Sequence, residues 1–294
     1  MRDSAKRKEG PFISYHLVDN SLDEESFQFI RSLILKVAGI SLSENKKSMV
    51  QSRLFKRMLA LAVKTIPDYL NYLKDNSSEL GNFINALTTN KTDFFREVEH
   101  FNRLRDEFLP EIARRKSGEK KGVSFWSAAC STGPEVYTIA MVMQDFVCKH
   151  PGLDYKIWGT DIDTEVIHKA EAAIYGEDEM APIPEEFLRS SFVRGTGKNV
   201  GLYKVVDSLK EKIRFRQHNL IEPLVGFQIN FDFIFLRNVL IYFQLPVIQK
   251  VIDNVVAHLE PGGILFIGHA ESLNGIKHNL IPLGSSVYRK LNYE

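Results

Sequence analysis

Val123-Ser-Phe-Trp126-Ser-Ala-Ala-Cys130-Ser-Thr-Gly133-Pro-Glu135 is an apolar run of strand length that breaks into small residues and then opens a helical pattern reaching residue 147. Strand, tight turn and helix in that order make the first half of a βαβ unit, and the chain repeats the rhythm to its end. Apolar runs at residues 155–160, 213–217, 231–236 and 264–268 alternate with helical patterns at 164–173 and 246–259. The expected architecture is α/β, a doubly wound parallel sheet over residues 123–294. Residues 285–290 are expected as an added edge strand. Between Pro182 and Lys212 the rhythm lapses into Phe192-Val-Arg194-Gly195-Thr196-Gly197-Lys-Asn-Val-Gly201-Leu-Tyr-Lys204, whose glycines and β-formers suggest an inserted β-subdomain at about residues 189–212.

The first half has a different texture. Residues 1–20 are polar without a period and are expected as a flexible arm. Ser21-Leu-Asp-Glu24 has the form of a capping box, after which Phe27, Ile30, Ile34 and Val37 recur at helical spacing up to Gly39. A second helix is expected from near Ser43 with Val50, Leu54, Met58 and Leu61 on one stripe, a third after Pro67, and a fourth carrying Leu80, Phe83, Ile84 and Leu87. Residues 21–88 therefore read as a small all-helical domain. Residues 89–122 add a linking helix and a polar linker at 116–122.

Composition excludes several classes. The 294 residues carry 38 Lys plus Arg against 37 Asp plus Glu, so the net charge of +1 exerts no global pull on nucleic acid or acidic membranes. There is neither a run long enough to span a bilayer nor a signal-type apolar stretch, so a cytoplasmic location without membrane insertion is expected. Cys130 and Cys148 are too few for a disulfide scaffold and are read as small buried hydrophobes. His100, His218 and His269 lie in different segments without paired ligand spacing, and no metal is expected.

In a doubly wound sheet, ligands bind beyond the carboxyl ends of the strands, so the residues just after each strand carry the functional argument. Cys130-Ser-Thr-Gly133-Pro-Glu135 would let the backbone approach a ligand and places a carboxylate at a helix start. It could equally be an ordinary turn with Glu135 as first-turn charge. It is no GxGxxG array, which favours a nucleoside ligand without a pyrophosphate, such as S-adenosylmethionine. After the second strand, Asp161 could accept hydrogen bonds from both ribose hydroxyls, or Asp161 or Asp163 could cap the next helix. After the third, Asn219 could meet an adenine edge or simply form a turn. Arg237, Asn238 and Tyr242 follow the fourth strand together, a grouping hard to ascribe to a core.

Taken in order, Thr88-Thr-Asn90-Lys-Thr92-Asp-Phe94-Phe95-Arg96-Glu97, Trp126-Ser-Ala-Ala-Cys-Ser-Thr-Gly133, Thr160-Asp161-Ile-Asp163 and Arg237-Asn-Val-Leu-Ile-Tyr242-Phe243 closely resemble the chemotaxis receptor glutamate methyltransferases, the CheR family. The resemblance runs from near Phe27 to Tyr288, and the Leu259-Glu-Pro-Gly-Gly-Ile-Leu265 turn resembles that of many Rossmann-like methyltransferases. It implies a Rossmann-like methyltransferase domain and transfer of the S-adenosylmethionine methyl group to glutamate carboxylates on the cytoplasmic helices of chemoreceptors. S-adenosylhomocysteine would be the co-product. By position, Asn90, Thr92, Arg96, Glu135, Asp161, Asn219, Leu220, Arg237 and Asn238 match the family's cofactor-contacting residues, and Arg96 and Tyr242 match the pair nearest the methyl. The chain departs from the family pattern at Lys91, Asp93, Pro134 and Val136.

Two recognition surfaces are expected. Lys46, Arg53, Lys56 and Arg57 gather on one side of the second helix, either as a solvated face or as the dock for an acidic receptor helix that the resemblance favours. Arg194, Gly195, Thr196, Gly197 and Gly201 lie in the excursion that resembles the family's peptide-binding β-subdomain, which would tether a receptor C-terminal peptide by strand addition; a purely structural hairpin is the alternative. Two rival functions remain: a catalytically silent S-adenosylmethionine-binding receptor adaptor, and a nucleic-acid methyltransferase. The neutral charge and the lack of a basic strip interleaved with aromatics weigh against the second.

Overall fold

The computed structural model describes residues 21–116, 122–226 and 230–291. The arm at 1–20 and most of the linker at 116–122 lie outside them. In chain order, α1 (Glu24–Ala38), α2 (Lys47–Leu61), α3 (Ile66–Asp75) and α4 (Glu79–Leu87) form the helical domain. α5 (Glu99–Arg103) continues through a π-helical turn (Leu104–Phe108) into α6 (Leu109–Arg115). The α/β domain then runs β1 (Val123–Ala128), α7 (Pro134–Lys149), β2 (Tyr155–Asp161), α8 (Thr164–Ala172), β3 (Ile174–Gly176), α9 (Glu185–Ser191), β4 (Phe192–Arg194), β5 (Leu202–Val205), α10 (Asp207–Lys210) and β6 (Ile213–Gln217). It ends with β7 (Phe231–Leu236), α11 (Leu245–Ala257), β8 (Leu259–Ile267), β9 (Leu280–Pro282) and β10 (Val287–Lys290).

The helical stripes are buried as their periodicity requires: Phe27, Ile30 and Ile34 of α1 meet Val50, Leu54 and Met58 of α2 and Phe83 of α4 in one core. The cap of α1 is Asp23 rather than Ser21. Its carboxylate accepts the Ser26 N–H at 2.7 Å and the Ser26 hydroxyl at 3.0 Å, an anion held against the positive end of the helix.

The main sheet has the order β6-β2-β1-β7-β8-β10-β9. The first five strands are parallel, and β10 pairs antiparallel with both β8 and β9. The C-terminal strand is thus internal and β9 is the edge, contrary to the expectation for residues 285–290. Side chains alternate across the sheet: Phe125, Phe233, Phe235 and Phe266 belong to one core, and Trp126, Ile234, Leu236 and Leu265 to the other. The order in which strands are added reverses at β1, which has β2 on one side and β7 on the other, all three running parallel. The crevice for a ligand therefore lies past the ends of β1, β2 and β7.

The excursion is a three-stranded antiparallel sheet, β3-β5-β4. It recruits β3 at residues 174–176, well before the expected start, because a lone hairpin has too little surface to stand by itself. Cys130 is buried, but Cys148 is exposed near the end of α7, which corrects its reading as a core residue. Among the described residues, no helix is long and apolar enough to cross a membrane.

The helical domain packs against the α/β domain at α1 and at α4. Gly39 closes α1 with φ +73°, and a Cβ there would lie 2.8 Å from Val247 Cγ1 and 2.9 Å from Ile221 Cγ2, so the close approach requires glycine. Ile40 and Phe243 form a β-bridge, and the Ser41 N–H donates to the Tyr242 carbonyl at 2.8 Å.

Candidate active site

A cleft of about 1250 Å³, counting its open mouth, lies where the strand order reverses. Its wall contains Asn90, Thr92, Arg96, Glu135, Asp161, Asn219, Leu220, Arg237, Asn238 and Tyr242, so every residue matched to cofactor contact or to the transferred methyl is brought to one place. Ala38, Ile40, Leu42, Lys46 and Met49 of the helical domain complete the wall.

The turn after β1 is wound through left-handed residues, Ala129 at φ 63°, Ser131 at 52° and Gly133 at 97°. Each side-chain-bearing residue in that conformation costs roughly 1–2 kcal/mol, so the turn must be held from outside. Asp161 holds it. This buried carboxylate at the end of β2 accepts the Ser131 N–H at 2.8 Å and the Asp163 N–H at 3.0 Å. Burial pushes its pKa up to about 6 in spite of these hydrogen bonds. Gly133 is needed for packing: a Cβ would sit 3.0 Å from Ala170 and from the Tyr175 hydroxyl.

Asp163 is the helix cap. One carboxylate oxygen takes the N–H groups of Glu165 and Val166, while the other accepts the Thr88 hydroxyl at 3.0 Å and the Asn90 carboxamide at 2.7 Å. The Ser131 hydroxyl donates to the Asn90 carbonyl at 2.8 Å and closes the ring. The segment joining the two domains is thereby fixed to the turn after β1. Asn219 spends its amide N–H on the Val37 carbonyl at 2.8 Å, which ties the α/β domain to the end of α1.

Arg237 organises the opposite wall. Its side chain is 2% exposed and donates to Glu135 at 2.9 Å and to Glu97 at 3.0 Å. It also donates to the Arg96 carbonyl and lies over the Phe101 ring. Burial raises the Glu97 carboxyl, but the Asn238 carboxamide and the Arg237 charge outweigh it and hold the pKa at about 2. Glu271 accepts the N–H groups of Asn238, Leu240 and Gly268 and so shapes the turn after β7. Arg96 reaches the cleft with one N–H on the Lys91 carbonyl at 3.2 Å. The half-buried Tyr242 turns its hydroxyl to no partner among the described residues.

Residues 90–289 match the family model "CheR methyltransferase, SAM binding domain", and residues 25–88 match "CheR methyltransferase, all-alpha domain". The chain belongs to the CheR methyltransferase family. Similar to this CheR chain are the Escherichia coli (strain K12) chemotaxis protein methyltransferase, 40% identical over 91% of each chain; its Klebsiella aerogenes counterpart, 37% identical over 97% of this chain and 96% of the other; and chemotaxis protein methyltransferase 2 of Pseudomonas aeruginosa, 37% identical over 90% and 92%. S-adenosylmethionine is the cofactor, and the cleft fits it. The buried Asp161 carboxylate suits hydroxyl donors, and the Glu135 carboxylate on the same wall suits a ligand that bears cationic groups.

The structure redistributes the basic residues of the CheR helical domain. Arg57 makes two 2.6 Å bonds to Glu79, and Arg53 donates to the carbonyls of Leu87 at 3.0 Å and Thr88. Both guanidinium groups hold α2 to α4, and both remain partly exposed. Lys46 stays exposed on the cleft wall, and Lys56 stays exposed on α2. In the small sheet, Arg194 pairs with Glu177 at 3.3 Å, and a Cβ on Gly195 would fall 2.1 Å from the Asn199 carbonyl. Gly195, Thr196 and Arg194 line a shallow groove, whereas Gly197 and Gly201 serve the loop with positive φ.

Sequence reasoning missed Glu97, Glu271 and Ser131 as organisers, although Glu97 closes the quoted Thr88-to-Glu97 motif. It also separated histidines that the fold joins: Glu97, His100 and His269 present ligand-type atoms within 4.8 Å of one another. Arg237 already supplies the positive charge on Glu97, and burial together with that charge lowers His100 to a pKa of about 4. His100 Nε2 meets the Ser285 carbonyl at 2.9 Å, so it carries the proton.

Proposed function

We propose that this enzyme transfers the methyl group of S-adenosylmethionine to glutamate side chains of chemoreceptors, in the cytoplasm, giving glutamyl methyl esters that adjust sensory adaptation. The carrying observation is that Arg96 and Tyr242 share one cleft with Asp161 and Glu135. A hydroxyl and a guanidinium thus stand with the groups suited to hold the cofactor. The bound cofactor supplies an electrophilic methyl group on a sulfonium. A glutamate carboxylate, with an ordinary pKa of about 4.3, arrives ionised at neutral pH and needs no general base.

In this reading Asp161 takes the ribose hydroxyls, Glu135 and Arg237 with Asn238 hold the amino-acid end, and Asn90, Thr92, Asn219 and Leu220 frame the nucleoside. Arg96 steers the acceptor carboxylate and Tyr242 orients it through its hydroxyl. Arg96 must position rather than clamp, because acceptor and sulfonium lose charge toward the transition state and a tight ion pair would stabilise the ground state. With Arg53 and Arg57 partly engaged by α4, the exposed Lys46 at the cleft wall is placed to meet an acidic receptor helix. The groove beside Gly195 and Thr196, with Val193 60% exposed, suits an extended receptor C-terminal peptide.

Mass spectrometry of co-expressed receptors tests the reaction: methyl esters on glutamate are expected, and their absence sinks the reading. Arg96→Ala and Tyr242→Phe should each lower turnover on receptor membranes by about 10²-fold, the cost of a misplaced reacting group. Normal turnover in both, with cofactor affinity intact, would remove these roles.

A further inference from the structure

Arg96 sits between two residues in the left-handed region, Phe95 at φ 52° and Glu97 at φ 54°. Side-chain-bearing residues rarely adopt that conformation, and two of them flanking one functional side chain persist only where the surroundings over-determine them. The surroundings here are specific. The Phe95 N–H donates to the Thr138 hydroxyl at 3.2 Å, and the Arg96 carbonyl accepts from Arg237. The Glu97 carbonyl accepts the His100 N–H at 3.0 Å. The Glu97 carboxylate does most of the anchoring: it accepts Arg237 Nη2 at 3.0 Å and Nε at 3.3 Å, the Asn238 carboxamide at 3.0 Å and the His269 N–H at 3.3 Å. Its donors come from the turn after β7 and the turn after β8, while Glu97 itself is absent from the cleft wall that Arg96 helps to form.

We propose that Glu97 is a positioning residue, whose carboxylate pins the left-handed turn to the ends of β7 and β8 and thereby aims the Arg96 guanidinium into the cleft. The inference rests on the reading of Arg96 as an acceptor-side group. A carboxylate suits this task because only an anion can take the guanidinium, a carboxamide and a backbone N–H at once. Glutamine at position 97 would turn an amide nitrogen toward donors and release at least one of them. The turn would then relax toward ordinary φ values and carry Arg96 with it.

The experiment is a double-mutant cycle on the full-length enzyme: wild type, Glu97→Gln, Arg96→Ala and the double variant. Single-turnover methyl transfer to receptor membranes, cofactor affinity by calorimetry and thermal melting are read for each. Glu97→Gln is expected to slow transfer by about 10²-fold, the penalty for displacing a positioned group. It should affect the transfer rate more than cofactor affinity, and in the Arg96→Ala background it should cost less than about threefold. Equal costs in both backgrounds would overturn the proposal, because Glu97 would then act through Arg237 or through fold stability alone. Full activity of Arg96→Ala by itself would instead refute the acceptor-side reading. Should Glu97→Gln not fold, Glu97→Asp keeps the charge beside Arg237 but shortens the reach, and its cycle with Arg96→Ala reads the same coupling.

Discussion

Arg57 in the helical domain and Arg237 in the α/β domain both meet buried or half-buried carboxylates, but they are wired differently. Arg57 faces one anion, Glu79, which also accepts the Tyr69 hydroxyl at 3.1 Å and the Asn82 carboxamide at 3.0 Å. Every partner lies in α2, α3 or α4, and the knot is neutral and closed. Arg237 faces two anions, Glu97 and Glu135, drawn from distant parts of the chain, and of these Glu135 lies on the cleft wall while Glu97 stands behind it. A knot closed within one domain fixes helices; one that joins distant segments behind a cleft fixes the wall that a ligand meets. The contrast breaks if removing Arg237 costs only stability. Arg237→Ala should leave two carboxylates facing each other, an uncompensated charge worth about 3–5 kcal/mol, and should weaken S-adenosylmethionine binding by about 10²–10³-fold. Arg237→Lys should rescue little, since a point charge cannot reach both carboxylates and the Arg96 carbonyl together. Calorimetry on folded variants decides it.

The closed knot should behave in the opposite way. Glu79 is 3% exposed, and its loss strands the Tyr69 hydroxyl and frees Arg57, whose side chain is 25% exposed and can regain water. Glu79→Ala should therefore cost about 3 kcal/mol of stability, at the low end for a broken buried pair, with cofactor affinity at 25 °C within about twofold of wild type. Chemical denaturation and calorimetry check the two halves. A large loss of cofactor affinity would show that this knot reports to the cleft after all.

The same contrast explains what the sequence could reveal. Periodicity exposes elements that bury one face, so Phe27, Ile30 and Ile34 or Phe231 to Leu236 were legible. Position after a strand exposed Asp161, Asn219 and Arg237, because the topology of a doubly wound sheet converts chain position into proximity. Partnerships between segments were not legible. Nothing local says that Arg57 and Arg53 reach the first and last residues of α4, or that His269 lies against His100 with ring centroids 4.7 Å apart. The edge strand was misplaced for the same reason, since β9 is only three residues long and β10 is placed by its pairing with β8. Glu97 escaped because its role depends on donors that arrive 140 residues later in the chain.

The smallest effect concerns Asp161, where burial rather than an ion pair sets the charge. Its folded pKa of about 6 lies above the ordinary 3.8, so the native state binds the extra proton between those values, and this residue's contribution to stability falls as pH rises through that window. Cofactor binding should run the other way. Ribose hydroxyls donate more strongly to the ionised carboxylate, so a bound ligand pulls the pKa down and affinity must rise with pH until Asp161 is ionised. The expected gain is about tenfold between pH 5 and 7, levelling above the midpoint near pH 6, because one pH unit of coupled titration is worth a factor of ten. Glu97 at about 2 and His100 and His218 at about 4 titrate below this window, while burial also raises Glu271, so a matched variant is needed. Asp161→Asn should bind more weakly at pH 7 and show a flat profile. A wild-type affinity that stays level or falls from pH 5 to 7 would mean that the ionised Asp161 does not hold the ribose, and the two walls of the cleft would have to exchange roles.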